Sequence, residues 1–69
     1  MPGHVYKHID ITGTSTASSD DAIRTAIKKA GETIRGMRWF RVKDTRGYID
    51  GAAVQHWQVT VEIGFGLEG

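Results

Sequence analysis

The sequence contains no cysteine among its 69 residues, so no disulfide and no thiolate metal site can hold it together. It has no apolar run near the ~20 residues of a membrane span. No apolar segment follows Met1 that would mark a secretory leader, so cytoplasmic residence is expected. Nor is there an excess of charge of either sign. Nine Lys and Arg face eight Asp and Glu, a formal net charge of +1. That balance argues against a protein whose partner is nucleic acid or an anionic membrane. Repeats, linkers and low-complexity stretches are absent as well, and the chain is read as a single domain over residues 1–69. A domain this short sits at the low end of what folds alone, and below about 70–80 residues a core needs help. With disulfides and thiolate metal sites excluded, association between copies is the help that remains.

Catalytic patterns are missing too. His4, His8 and His56 do not show metal-ligand spacing, and no metal site is expected. No pair of carboxylates is placed for acid–base work. Ser15, Ser18 and Ser19 near Asp20 read as turn and cap chemistry, not as part of a triad. Gly13-Thr14-Ser15 precedes a helix, but the remainder of a phosphate-binding loop motif is not there.

The residues that are present fall into four elements. Val5 to Thr12 alternates, with Val5, Ile9 and Ile11 on one parity and Tyr6, His8 and Asp10 on the other, which predicts a half-buried strand. A polar stretch opening at Gly13 leads to a helix predicted over Ser19 to Arg35. Ser18 and Asp21 resemble a capping box, and Ala22, Ile23, Ala26, Ile27, Ala30 and Ile34 form its apolar stripe. Gly36 is the expected residue after its end. Two strands follow, Arg38 to Ile49 and Ala53 to Leu67, joined by a turn at Asp50-Gly51.

Parity points to the site. Trp57, Val59, Val61, Ile63 and Phe65 share one face of the last strand, and Phe40 and Val42 are expected beside them beneath the helix. Trp39 and Gln58 then project from the uncovered face. A large aromatic side chain there is either an interface residue or a ligand platform. Length adds a second clue. Strands of 12 to 15 residues extend ~40–50 Å, whereas a 17-residue helix extends ~26 Å. The uncovered sheet is expected to close against further copies of the chain.

The segments Gly13-Thr14-Ser15, Trp39-Phe40-x-Val42, Thr45-Arg46-Gly47, Trp57-Gln58-Val59 and Gly64-Phe65-x-Leu67 together resemble the dodecins over nearly the whole chain, Tyr6 to Glu68. The resemblance implies an α+β fold in β-α-β-β order, a three-stranded antiparallel sheet wrapped on one helix, assembled as a hollow homododecamer of tetrahedral symmetry. It also implies storage and protection of flavin, FMN or riboflavin (FAD or lumichrome among the alternatives), with coenzyme A bound by some members. In such proteins, tryptophans of symmetry-related subunits sandwich paired isoalloxazine rings near the threefold axes, and Trp39 matches that position. Gln58 matches a glutamine that hydrogen-bonds the pyrimidine edge, and Arg46 an arginine near the ligand. No catalytic residue is implied.

Two departures stand out. Gly66 replaces an arginine common in the family between the last Phe and Leu, which puts phosphate and coenzyme A contacts in doubt. Arg38 and Arg41 flank Trp39-Phe40 where acidic residues are common, and are expected to favour anionic ligands in partial compensation. Three other readings of the residues compete: a single-strand nucleic-acid binder using the two tryptophans, a small enzyme with a site between subunits, and a purely structural self-assembling module. Opposite parity of Trp39 and Trp57 and near-neutral charge oppose the first, and no positioned nucleophile or base supports the second.

Overall fold

The computed structural model describes residues 4–67. The elements follow the order expected: strand β1 (Tyr6–Ser15), helix α1 (Ser19–Ala30), strand β2 (Met37–Asp50) and strand β3 (Ala53–Gly66). The three strands form one antiparallel sheet in the order β1-β3-β2, with β3 central. At the β2–β3 turn Asp50 pairs with Ala53 and Gly51 takes φ +64°, a conformation open to glycine.

β1 runs three residues further than the sequence pattern predicts, and so absorbs Gly13-Thr14-Ser15. Its continuation has a packing cause. A Cβ at Gly13 would stand 2.8 Å from the Ala26 Cβ and run into the Ala22 carbonyl oxygen, so the helix lies directly on the bare backbone. Ser15 then fastens the helix start. Its Oγ donates to Asp21 Oδ2 at 2.7 Å and accepts from the Ala17 N–H at 2.9 Å. Ser18 is the N-cap and accepts from the Asp21 N–H at 3.0 Å. The capping box is therefore half formed, because the Asp21 carboxylate takes the Ser15 hydroxyl. Gly13→Ala is expected to lower stability by about 1–3 kcal/mol through overpacking. Urea unfolding checks this; an unshifted midpoint would show that the helix does not depend on that contact.

The helix is shorter than predicted, ending at Ala30 and not near Arg35. Gly31 serves as C-cap, and the following residues tighten into a turn, with the Glu32 N–H on the Lys29 carbonyl and the Thr33 N–H on that of Ala30. Gly31 and β-branched Thr33 and Ile34 all disfavour further helix. Gly36, expected at the helix end, instead takes φ +74° at the entry to β2. Ile34 still reaches the core, but from the loop. At 12 residues the helix spans ~18 Å against ~46 Å for each long strand.

The core is correspondingly small. Ala22, Ala26 and Ala30 of α1 meet Val59, Val61 and Ile63 of β3, with Ile9, Ile11, Ile23, Ile27 and Met37 partly buried around them. Phe40 and Val42 lie on the expected face, paired with Ile63 and Val61, but the helix packs on β1 and β3 and does not cover them. They are 48% and 42% exposed, a correction to their placement beneath the helix. Trp57, expected in the core, is half-buried over Gly47 on the same face. An apolar cleft of about 240 Å³, lined in part by Ile27, Met37, Phe40 and Ile63, opens beside the helix. The radius of gyration is 14.5 Å, where a compact chain of this length gives roughly 11 Å. Among the described residues, no helix is long and apolar enough to cross a membrane.

Candidate functional site

The face of the sheet away from the helix is built from β3 outward. His56, Gln58, Thr60, Glu62, Gly64 and Gly66 alternate onto it, and each is flanked by residues of β1 or β2 in register. Thr12 and Thr60 share a hydrogen bond between hydroxyls at 2.8 Å, and Lys43 Nζ reaches Asp10 Oδ2 at 2.7 Å. These cross-strand ties fix the strands and leave the ends of the face for the larger groups.

Trp39 sits at one end, opposite Gly64. A Cβ at residue 64 would collide with Cε2 and Cζ2 of the Trp39 ring, so the indole lies on the backbone of β3 where a side chain is missing. One face of the ring is thus packed on the sheet. The residue remains 40% exposed. In the sequence, a glycine on the uncovered parity of a strand is the signal that marks such a close approach.

Gln58 and Arg46 are cross-strand neighbours at another level of the same face. Unbroken alternation from Trp39 would have put Arg46 on the helix side. A β-bulge between Val42 and Asp44 inserts Lys43 and reverses the parity, so Asp44, Arg46 and Tyr48 join the open face. Arg46 Nε donates to Asp44 Oδ2 at 2.7 Å. That hydrogen bond and the carboxylate's charge, with a smaller contribution from Tyr48, raise the guanidinium pKa above its ordinary value. Tyr48 in turn stacks on His56 with ring centroids 4.6 Å apart.

The structure brings Gln58 and Arg46 together, but not with Trp39 of the same protomer. Their partners on β3, Gly64 and Gln58, are six residues apart, a separation of ~20 Å. A single ring resting on Trp39 can meet a Gln58 or Arg46 only if another copy of the chain supplies them.

The two arginines beside Trp39 differ in their commitments. Arg41 binds Glu62 through both Nε and Nη2, each 3.1 Å from Oε1. Glu62 is buried at 8% exposure, and its other oxygen lies 2.8 Å from His8 Nδ1. Arg38 occupies a second bulge, between Met37 and Trp39, and is exposed. Its Nε lies 3.9 Å from where a Cβ at Gly66 would stand. Among the described residues it has no carboxylate partner within ion-pair distance. The His8–Glu62–Arg41 cluster was not foreseen from the sequence, because it joins three strands whose register only the fold sets. Among the described residues, no three His, Asp or Glu side chains gather as a metal site.

Comparison with known proteins agrees with this architecture. The dodecin family model matches residues 5–68. The chain is 44% identical to the dodecin of Thermus thermophilus over 66 residues, 96% of either chain. It is 33% identical to the calcium dodecin of Mycobacterium tuberculosis over 61 residues, covering 88% of this chain and 86% of that one. The solved dodecin of Streptomyces davaonensis superimposes with a TM-score of 0.90 at 40% identity, covering 99% of this chain and all of that one. That of Streptomyces coelicolor gives the same TM-score and identity, over all of this chain and 99% of the other. In sequence, element order and sheet topology alike, the chain belongs to the dodecin family.

Proposed function

We propose that this protein binds flavins for storage, stacking paired isoalloxazine rings between tryptophans where subunits meet, and that it catalyses no reaction on them. The single observation that carries the reading is the indole of Trp39 on the bare backbone of Gly64, on the face that the helix leaves open. A planar, electron-poor ring gains about 0.5–1.5 kcal/mol from such stacking beyond the area it buries. An excited flavin in contact with an indole is quenched by electron transfer, which limits its photochemistry and so protects it. The amide of Gln58 offers a donor and an acceptor to the pyrimidine edge, and Arg46 a cation beside it. With ~20 Å between these groups and Trp39 in one protomer, the site is shared between copies.

Assembly into a homododecamer is part of the same proposal. Six buried hydrophobic residues among those described, three of them alanine, are a small core. Phe40, Val42, Ile49 and Val54 stand exposed, as an interface between copies would have them. The mycobacterial relative carries calcium in its name; no acidic cluster among the described residues supports carrying that property over.

The ligand's phosphate is assigned to Arg38 and not to Arg41, whose guanidinium is engaged by Glu62. The Arg38 side chain lies over Gly66, the position where an arginine is common in the family, and replaces it from the neighbouring strand. FMN is then the favoured ligand over riboflavin, and coenzyme A remains a candidate through the same cation. Titration of both flavins at low and moderate salt tests this. FMN is expected to bind more tightly at low salt, with the gap closing as salt is raised and disappearing in Arg38→Ala. Equal affinities for the two flavins at every salt concentration would remove Arg38 from the site.

A further inference from the structure

Trp39 shares its row with a second ring. Across Gly64, His8 of β1 lies on the same face, and with no side chain at Gly64 the two rings are neighbours. Their centroids are 6.5 Å apart and their planes are inclined by 39°. His8 is held from below. Its Nδ1 lies 2.8 Å from Oε2 of the buried Glu62, whose Oε1 is bound twice by Arg41. That contact ties the imidazole to a carboxylate that is itself buried and held by Arg41. One strand therefore supplies an indole and another supplies an imidazole, the carboxylate of the central strand being tied to both flanks.

An isoalloxazine has three fused rings, one more than an indole. A flavin placed on Trp39 with its long axis along this row would overhang the indole toward β1. We propose that His8 is a further ligand-contacting residue of the site, its tilted imidazole meeting the overhanging ring, with Glu62 and Arg41 as its positioning residues. The proposal rests on the flavin reading above and adds a selection for ring size. A two-ring base that fits on the indole gains nothing from His8, whereas a three-ring ligand does.

The test uses the assembled protein, with assembly of each variant checked by size-exclusion chromatography and riboflavin binding followed by flavin fluorescence. His8→Ala is expected to weaken riboflavin binding about three- to tenfold while quenching at saturation stays complete, since Trp39 is intact. His8→Phe restores part of the affinity by supplying a ring without the carboxylate tie, and it carries the test if His8→Ala fails to assemble. Glu62→Gln weakens binding when His8 is present and adds nothing in the His8→Ala background, which a merely structural role for Glu62 would not produce. Unchanged riboflavin affinity in His8→Ala, with quenching retained, overturns the proposal and leaves the flavin reading standing. Loss of quenching at saturation in His8→Ala overturns it as well, by showing that His8 only steadies the indole. Absence of quenching in the unmodified protein removes the flavin reading and the role of His8 with it.

Discussion

Trp39→Ala is expected to abolish quenching of bound flavin and to weaken riboflavin binding by about thirtyfold or more, the loss usual when an aromatic anchor at the centre of a contact is truncated. The variant is expected to assemble normally, because the indole lies outside the buried core formed by α1 and β3. Two readouts separate the ligand role from an interface role. A platform residue loses quenching and affinity while the particle keeps its size. An interface residue loses the particle first. Fluorescence titration alongside size-exclusion chromatography distinguishes them, and a disrupted particle that still quenched flavin would contradict the role given to Trp39.

Gly64→Ala is expected to impair ligand binding nearly as severely, although residue 64 lies beneath the platform. The added methyl group would occupy the volume of the Trp39 six-membered ring. The indole must lift or rotate away, and the face it offers turns with it. Overpacking of this kind also costs about 1–3 kcal/mol in stability. Because the glycine acts through the tryptophan, the two effects should not add. In the Trp39→Ala background, Gly64→Ala is expected to change riboflavin affinity little further. Full additivity of the two losses, or normal quenching in Gly64→Ala, would show that the ring does not depend on that bare stretch of β3.

Much of this was legible in the sequence for identifiable physical reasons. Alternation in β3 placed Trp57, Val59, Val61 and Ile63 on one face and Gln58 on the other, because strand parity needs no tertiary information. The Asp50-Gly51 turn was equally local. Trp39 was assigned to the open face by the same rule. What alternation cannot show is where it breaks. The bulge at Lys43 moved Arg46 onto the face of Gln58, and that at Arg38 set an arginine over Gly66, yet neither carries a signature among the polar residues around it. Phe40 and Val42 were assigned the right face and the wrong cover. The helix stops at Ala30 and packs mainly on β1 and β3, which leaves these two side chains of β2 exposed. The His8–Glu62–Arg41 cluster depends on pairings between residues 21 and 54 positions apart, beyond the reach of any local pattern.

A titration of riboflavin into the purified, assembled protein, followed by flavin fluorescence, tests the central claim most directly. Quenching that saturates near one flavin per protomer is the result expected of paired rings held between symmetry-related Trp39 side chains. Unquenched riboflavin at micromolar concentrations of assembled protein would contradict flavin storage as its function.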